Sequence, residues 1–254
     1  MEIIHLNSGA GRCVVPVSPM RASAAHRSEI VSQLLYGETC RITDKGNEYW
    51  CRVVCDYDGY EGWCQRDQLE IYKAAPDLKI LLTTKWVTPI ERNKERMMIP
   101  FGSHVDQLSV PEAWDPLSAR ISEESLKNIA FTFLNTSYLW GGKSIFGIDC
   151  SGFVQTVFKY FNVPLLRDAS QQSTQGESMG FLEETRCGDL AFFDNEEGKI
   201  THVGMLLNSE QIIHASVKVR VDRIDNFGII NTDSGIRTHK LRLIKRYLDG
   251  REAI

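Results

Sequence analysis

The sequence predicts an α+β protein in which small β-barrel modules precede a larger domain that mixes helices with a sheet. Three observations carry this. Short strand-like runs broken by turn residues fill the chain from Cys13 to about Tyr72, helical periodicity begins at Ser122, and strand-like runs return after Gln175. At 254 residues the chain has room for roughly two domains. It is long enough to bury apolar cores without disulfide staples.

Each element has a local reason. In the first segment the strands CVVPVS, EIVSQLLYGE, TCRIT, YWCRVVCDY and YEGWCQ are separated by the turn formers DKGN and DG, a spacing that suits a small barrel. Residues 73 to about 117 hold two further strand-like pieces, ILLTTKWVTPI and MMIPFGSHVDQL, on either side of the charged tract ERNKER. They end in VPEAWDPLSAR, whose prolines read as a linker. Ser122 then offers a helix cap, and Glu123 and Glu124 stand in the first turn, where the helix dipole favours acids. Leu126, Ile129, Ala130, Phe133 and Leu134 continue at helical spacing. A second helix is expected from Cys150 to about Phe161, with Phe153, Val154, Val157 and Phe161 on its apolar face. Beyond a polar loop, DLAFFD, THVGMLL, QIIHASV and LRLIKRYL are the remaining strands.

Charge and cysteine usage exclude several classes. With 29 Lys+Arg against 33 Asp+Glu the formal charge is −4, and no basic cluster interrupts the mixture. Nucleic acid and anionic membranes are therefore not expected as electrostatic partners. No apolar run is long enough to span a bilayer. The seven cysteines are an odd count, and the opening MEIIHLNSGAGRCVVPV has no signal-peptide pattern. A lipoprotein reading of Cys13 fails because Arg12 precedes it. A secreted disulfide framework is thus not expected, and a reducing, cytoplasmic location is.

Chemistry concentrates in YLWGGKSIFGIDCSGF, residues 138–153. Gly141, Gly142 and Gly147 form a loop that delivers Cys150 to a helix start, where unpaired N–H groups and the dipole favour a thiolate and can hold an oxyanion. The competing reading is a small buried cysteine at a helix start. Histidine placement favours the nucleophile. His202 opens THVGMLL and His214 lies in QIIHASV. If Asn208–Glu210 is a three-residue hairpin loop, Gly204 faces His214 and both histidines share one face of the sheet, about 7–8 Å apart at Cα. A two-residue loop would put them on opposite faces. His5, His26, His104 and His239 read as surface or loop residues. Zinc is the rival use of Cys150, His202 and His214, but they show no metal-ligand spacing, so neither a metal nor a cofactor is expected. Cys51 and Cys55 alternate on one strand face and read as packing, as do Cys64 and Cys187.

The ordered motifs YLWGG, DCSGFV, RDASQQ, CGDLAFF, THVGM and IIHAS resemble the NlpC/p60 family of papain-like cell-wall cysteine peptidases over about residues 117–254. The stretches RSEIVSQLLYGE and DGYEGWC are similar to bacterial SH3-like domains, and residues 73–117 look like a shortened second copy. The resemblance implies an SH3-like domain over 1–72, a shortened module with linker over 73–117, and a papain-like catalytic domain over 118–254. It further implies Cys150 as nucleophile, His202 as base and His214 as the residue orienting the base.

This architecture resembles the γ-D-glutamyl-L-diamino acid endopeptidases. The implied reaction is hydrolysis of the γ-D-Glu to diamino acid bond in muropeptides with a free N-terminal L-Ala, in recycling wall fragments. By the same resemblance Glu29 pairs with the substrate ammonium, Tyr60 borders the site, and Trp140, Asp149, Ser151 and Ser170 line the substrate side. From the residues alone, Glu29 is equally a solvated loop glutamate, Tyr60 a turn aromatic packing on Trp63, and Asp149 the cap of the second helix. Ala169 stands where some relatives have serine, which leaves the contact to the D-Glu carboxylate open. Two other functions remain: a peptidoglycan-binding protein with an inactive peptidase domain, and an amidase or acyltransferase using the same Cys–His pair. A monomer is expected, with the muropeptide as its one partner.

Overall fold

The computed structural model describes residues 9–73 and 79–248, and His5 lies outside them. They fall into two compact units. The first holds the chain up to Pro116 together with Trp140–Ile145, and the second holds Leu117–Leu139 and the chain from Phe146 onward. Trp140–Ile145, which chain order alone would assign to the catalytic domain, thus packs with the first unit.

Seven strands build the main body of the first unit: β1 (Gly9–Cys13), β2 (Val17–Arg21), β3 (Ile30–Leu35), β4 (Thr39–Asp44), β5 (Trp50–Cys55), β6 (Glu61–Gln65) and β7 (Leu69–Tyr72). They run in the order β3-β2-β6-β5-β4-β1-β7. Cys13, Met20, Leu34, Cys40, Ile42, Cys51, Val53, Cys55, Cys64 and Leu69 form one core. Every strand contributes to it, so the sheet curls around a shared interior as a small barrel must. The five thiols in that core are packing groups, and burial pushes each of them up from its ordinary range. One expected strand differs: CVVPVS is not continuous. It is divided between the end of β1 and the start of β2, because Pro16 cannot donate to a ladder.

The rest of the first unit is a reduced module: β8 (Leu81–Leu82) pairs with β11 (His104–Val105), and β9 (Val87–Arg92) with β10 (Glu95–Pro100). The charged tract forms the turn of the second hairpin, with Asn93 and Lys94 both at positive φ, 53° and 66°, the backbone a two-residue hairpin requires. Leu81, Ile90, Ile99, Val105 and Val110 make its own small core. His104, expected at the surface, is buried in β11.

The second unit begins with α1 (Glu123–Phe131), capped by Ser122 in a reciprocal arrangement with Ser125. After β12 (Lys143–Ser144, in the first unit) and β13 (Gly147–Ile148) comes α2 (Cys150–Lys159). All ten residues of α2 are buried, which marks it as the central helix of the unit. A short α3 (Ala169–Gln172) follows, then β14 (Glu177–Met179), β15 (Leu190–Asp194), β16 (Ile200–Leu206), β17 (Gln211–Ser216), β18 (Lys218–Asp225), β19 (Gly228–Ile230) and β20 (Arg237–Arg246). The strands run β14-β20-β15-β16-β17-β18-β19, and β19 also pairs with β20. That last pairing closes β15–β20 into a six-stranded barrel, filled by Ala191, Phe193, Leu206, Ile212, Ile224, Ile229 and Ile244. β18 and β19 are not among the expected strands, and β20 starts at Arg237, ahead of the expected LRLIKRYL, so that it includes His239.

Candidate active site

The site is built where α2 begins beside β16. Asp149 caps α2, its Oδ1 accepting the Gly152 N–H at 2.7 Å. Arg167, only 1% exposed, donates to both oxygens of that carboxylate at 3.0 and 2.6 Å and to the Ser151 hydroxyl at 2.9 Å. Gln172 of α3 holds the Ser151 carbonyl at 3.1 Å. These bonds fix the first turn of α2, and with it Cys150. Asp149 thus fills the capping position, with its carboxylate bonded to Gly152, Ser151 and Arg167.

Cys150 is 6% exposed, and burial opposes the pull of the helix start on its thiol. Burial pushes the thiol up to about 12, and the neighbouring Asp149 charge pushes the same way; the Val203 and Ser151 N–H groups and Arg167 pull down by less. The Val203 contact places the thiol against the residue that follows His202 in β16. Tyr138 belongs to the same neighbourhood. Burial raises its hydroxyl, and the charges of Cys150 and Asp149 add to the rise. Tyr138 opens the YLWGG motif and is not among the site residues expected from the sequence.

The two histidines meet as the three-residue loop requires. Met205 faces Ile213 and Leu206 faces Ile212, so Gly204 comes opposite His214. His202 Nε2 and His214 Nδ1 are 2.8 Å apart. On its other side, His214 Nε2 lies 3.0 Å from the Asp222 carboxylate. Both His214 and Asp222 are almost wholly buried. A third ring joins them: His239, expected in a polar tail, stacks on His202 with centroids 4.1 Å apart and 25° between planes. It reaches His202 because β20 extends back to Arg237 and lies beside β15 and β19. Burial holds His202 well below the usual imidazole range, with His214 and His239 adding to the effect. His239 is lowered to about 4, again mainly by burial.

The other expected site residues stand as follows. Ser170 is exposed on α3, which packs against β16. In the first unit Glu29 and Trp140 come together, the indole Nε1–H donating to the Glu29 carboxylate at 2.5 Å, and both side chains are exposed. Tyr60 is half-buried at the end of the β5–β6 turn. Among the described residues no group of three or more His, Cys, Asp and Glu side chains is placed to hold a metal ion.

A buried thiol at a helix start, beside a strand whose histidine is oriented by a second histidine, is the apparatus of nucleophilic acyl transfer. Comparison with known proteins agrees. The NlpC/P60 family matches residues 135–237, and a "Bacterial dipeptidyl-peptidase Sh3 domain" matches residues 20–69. A curated relative from Bacillus subtilis, named gamma-D-glutamyl-L-lysine dipeptidyl-peptidase, is 32% identical over 219 residues, 73% of this chain and 72% of its own length. The chain belongs to the NlpC/P60 family.

A Bacillus cereus protein of the same name is 26% identical over 84% of this chain and 76% of its own length. A crystal structure of an NlpC/P60 family protein from Bacillus cereus superposes with a TM-score of 0.79 at 19% identity, covering 94% of this chain and 99% of that one. It shares the papain-like fold with its N-terminal SH3-like part. As an NlpC/P60 protein the chain is a cysteine peptidase.

Proposed function

We propose that this peptidase hydrolyses the γ-D-Glu to diamino acid bond of peptidoglycan-derived peptides that carry a free N-terminal L-Ala, in recycling wall fragments. The observation that carries the reading is the Cys150–His202–His214 set in a chain that also bears an SH3 domain of the dipeptidyl-peptidase type. The curated relatives named for γ-D-glutamyl-L-lysine cleavage support the bond. Lysine and diaminopimelate remain the two candidates for the diamino acid.

Cys150 Sγ attacks the γ-carbonyl as its proton passes to His202. The Cys150 and Ser151 N–H groups at the start of α2, which have no acceptor within the helix, stabilise the oxyanion. His202 then protonates the leaving amine and activates the water that hydrolyses the thioester. Selection for a free amino terminus falls to Glu29. Its exposed carboxylate, oriented by the Trp140 indole, suits an ammonium, and a charge-assisted bond of about 1.5–3 kcal/mol corresponds to roughly 10- to 100-fold in kcat/KM. A cytoplasmic site of action is supported by the five thiols packed together in one barrel core, which suit a reducing compartment.

The test uses L-Ala-γ-D-Glu-L-Lys and its diaminopimelate counterpart, each with a free and an acetylated N-terminus. Release of the diamino acid is expected from the free peptides only and is lost in Cys150→Ala. Equal cleavage of acetylated peptide, or a Glu29→Gln variant that keeps the preference, overturns the amino-terminal selection. No cleavage of any of these by wild-type protein, with the thiol still acylated by an activated-ester probe, points to the amidase or acyltransferase reading.

A further inference from the structure

The hydrogen-bond order behind Cys150 extends beyond the Cys–His–His set. Three hydrogen bonds converge on the Asp222 carboxylate. His214 Nε2 at 3.0 Å meets Oδ2, while Arg220 Nη2 at 2.9 Å and the Thr232 N–H at 2.8 Å meet Oδ1, and the Arg220 guanidinium completes an ion pair with Nε 2.8 Å from Oδ2. Burial would raise this carboxyl, but its hydrogen bonds from His214, Thr232 and Arg220 outweigh that and hold it well below the usual carboxylate range. It is therefore an acceptor only, and each partner must present a hydrogen.

The consequence travels along the rings. His214 must carry its proton on Nε2 to donate to Asp222, so its Nδ1 is an acceptor in the neutral ring. His202 Nε2, 2.8 Å from that Nδ1, must then be the protonated nitrogen. In the neutral ring the Nδ1 of His202 is then the lone-pair nitrogen. We propose that Asp222 is a positioning residue of this centre: by dictating the tautomer of His214 it dictates that of His202, and so selects the nitrogen that can take a proton from Cys150. The proposal rests on reading Cys150 and His202 as the working pair.

Asp222→Asn tests this with almost no change of shape. An amide keeps its oxygen where two donors, Arg220 Nη2 and the Thr232 N–H, meet Oδ1, which places its NH₂ against His214 on the Oδ2 side. On the Oδ2 side, the clash is relieved when His214 moves its proton to Nδ1, which forces His202 to the Nδ1–H tautomer and removes the base. The measurement is ¹⁵N NMR of the imidazole nitrogens in the full chain, with kcat and KM on L-Ala-γ-D-Glu-L-Lys. In wild type, His202 and His214 are both expected as Nε2–H tautomers. In Asp222→Asn both move to Nδ1–H, and kcat falls on the order of 100-fold with KM little changed, in the manner of a misplaced tautomer. Asp222→Glu, again an acceptor only, keeps the Nε2–H tautomers and recovers part of kcat. Unchanged tautomers in Asp222→Asn, or the same tautomer change in Asp222→Glu, overturns the proposal. If wild-type protein does not cleave the peptide, the substrate reading fails, while the NMR result still decides the role of Asp222.

Discussion

Gly204 is the residue on which the contact between the two histidines depends. It lies opposite His214 in the β16–β17 ladder, between His202 and Leu206 in its own strand. A Cβ added there would stand 2.8 Å from His214 Cβ and 2.7 Å from Ile212 Cδ1. Ordinary contact begins at 3.4 Å, so His214 must recede by about 0.6 Å, its backbone held by β18 on the other side. The 2.8 Å bond between His202 and His214 would stretch to the limit at which such bonds count. Losing it forfeits about 1 kcal/mol of orientation, and misplacing the base costs more, so at least a tenfold loss of kcat/KM is expected in Gly204→Ala.

Stability supplies an independent sign. Replacing glycine by alanine in unstrained backbone ordinarily stabilises by about 0.4–1 kcal/mol. Here overpacking of about 1–3 kcal/mol opposes it, for a net loss that lowers Tm by a few degrees. Gly180→Ala is the control, since an added Cβ there meets nothing within 4 Å. Peptide hydrolysis and thermal melts of the two variants are the assays. A Gly204→Ala enzyme with wild-type kcat/KM and an unchanged or raised Tm would refute the claim that the histidine contact needs a glycine opposite.

Removing Arg167 should be severe, because it leaves the Asp149 carboxylate buried beside Cys150 without its partner. Arg167→Met is expected to cost about 3–5 kcal/mol in urea unfolding, and the double variant Arg167→Met/Asp149→Asn to recover part of it; simple additivity of the two would count against the pair. Acid should weaken the second unit. His202 and His239 are held below their unfolded value, so below pH 6.5 the unfolded chain takes up protons that the fold refuses. For His239 that loss is at most about 1.4 kcal/mol per pH unit down to about pH 4. His239→Phe, which keeps a ring against His202, should flatten the decline in urea midpoint between pH 7 and 4.5, and an identical slope in the variant would contradict it.

Cys150, His202 and His214 are legible in the sequence because local rules orient them. A glycine-rich loop ends at a capped helix, and a three-residue loop between period-two strands puts both histidines on one face. Asp222 and His239 escape those rules for separate reasons. β18 follows β17 through Val217, at φ 65°, a conformation that β-branched residues rarely adopt, so no turn signal announces the strand that carries Asp222. His239 depends on β20 meeting β19 to close the barrel, a pairing between segments that no short pattern encodes. Trp140–Ile145 is a third case. Gly141 sits at φ 75°, where a side chain would strike the Ile30 carbonyl, so close packing against the first unit, rather than delivery of Cys150 alone, accounts for that glycine.

Burial links these residues to the chemistry. Taken singly, the Cys150 thiolate and the His202 imidazolium are both disfavoured, because each would be a charge without water. In the proposed attack the proton leaves sulfur as the carbon–sulfur bond forms. Such a transfer needs a neutral base with its lone pair already aimed, since a wrong tautomer inside a packed barrel cannot be exchanged quickly through solvent. A carboxylate too deep to touch substrate can therefore still govern the rate. The chain from Asp222 through His214 to His202 supplies in fixed hydrogen bonds the orientation that water would otherwise scramble.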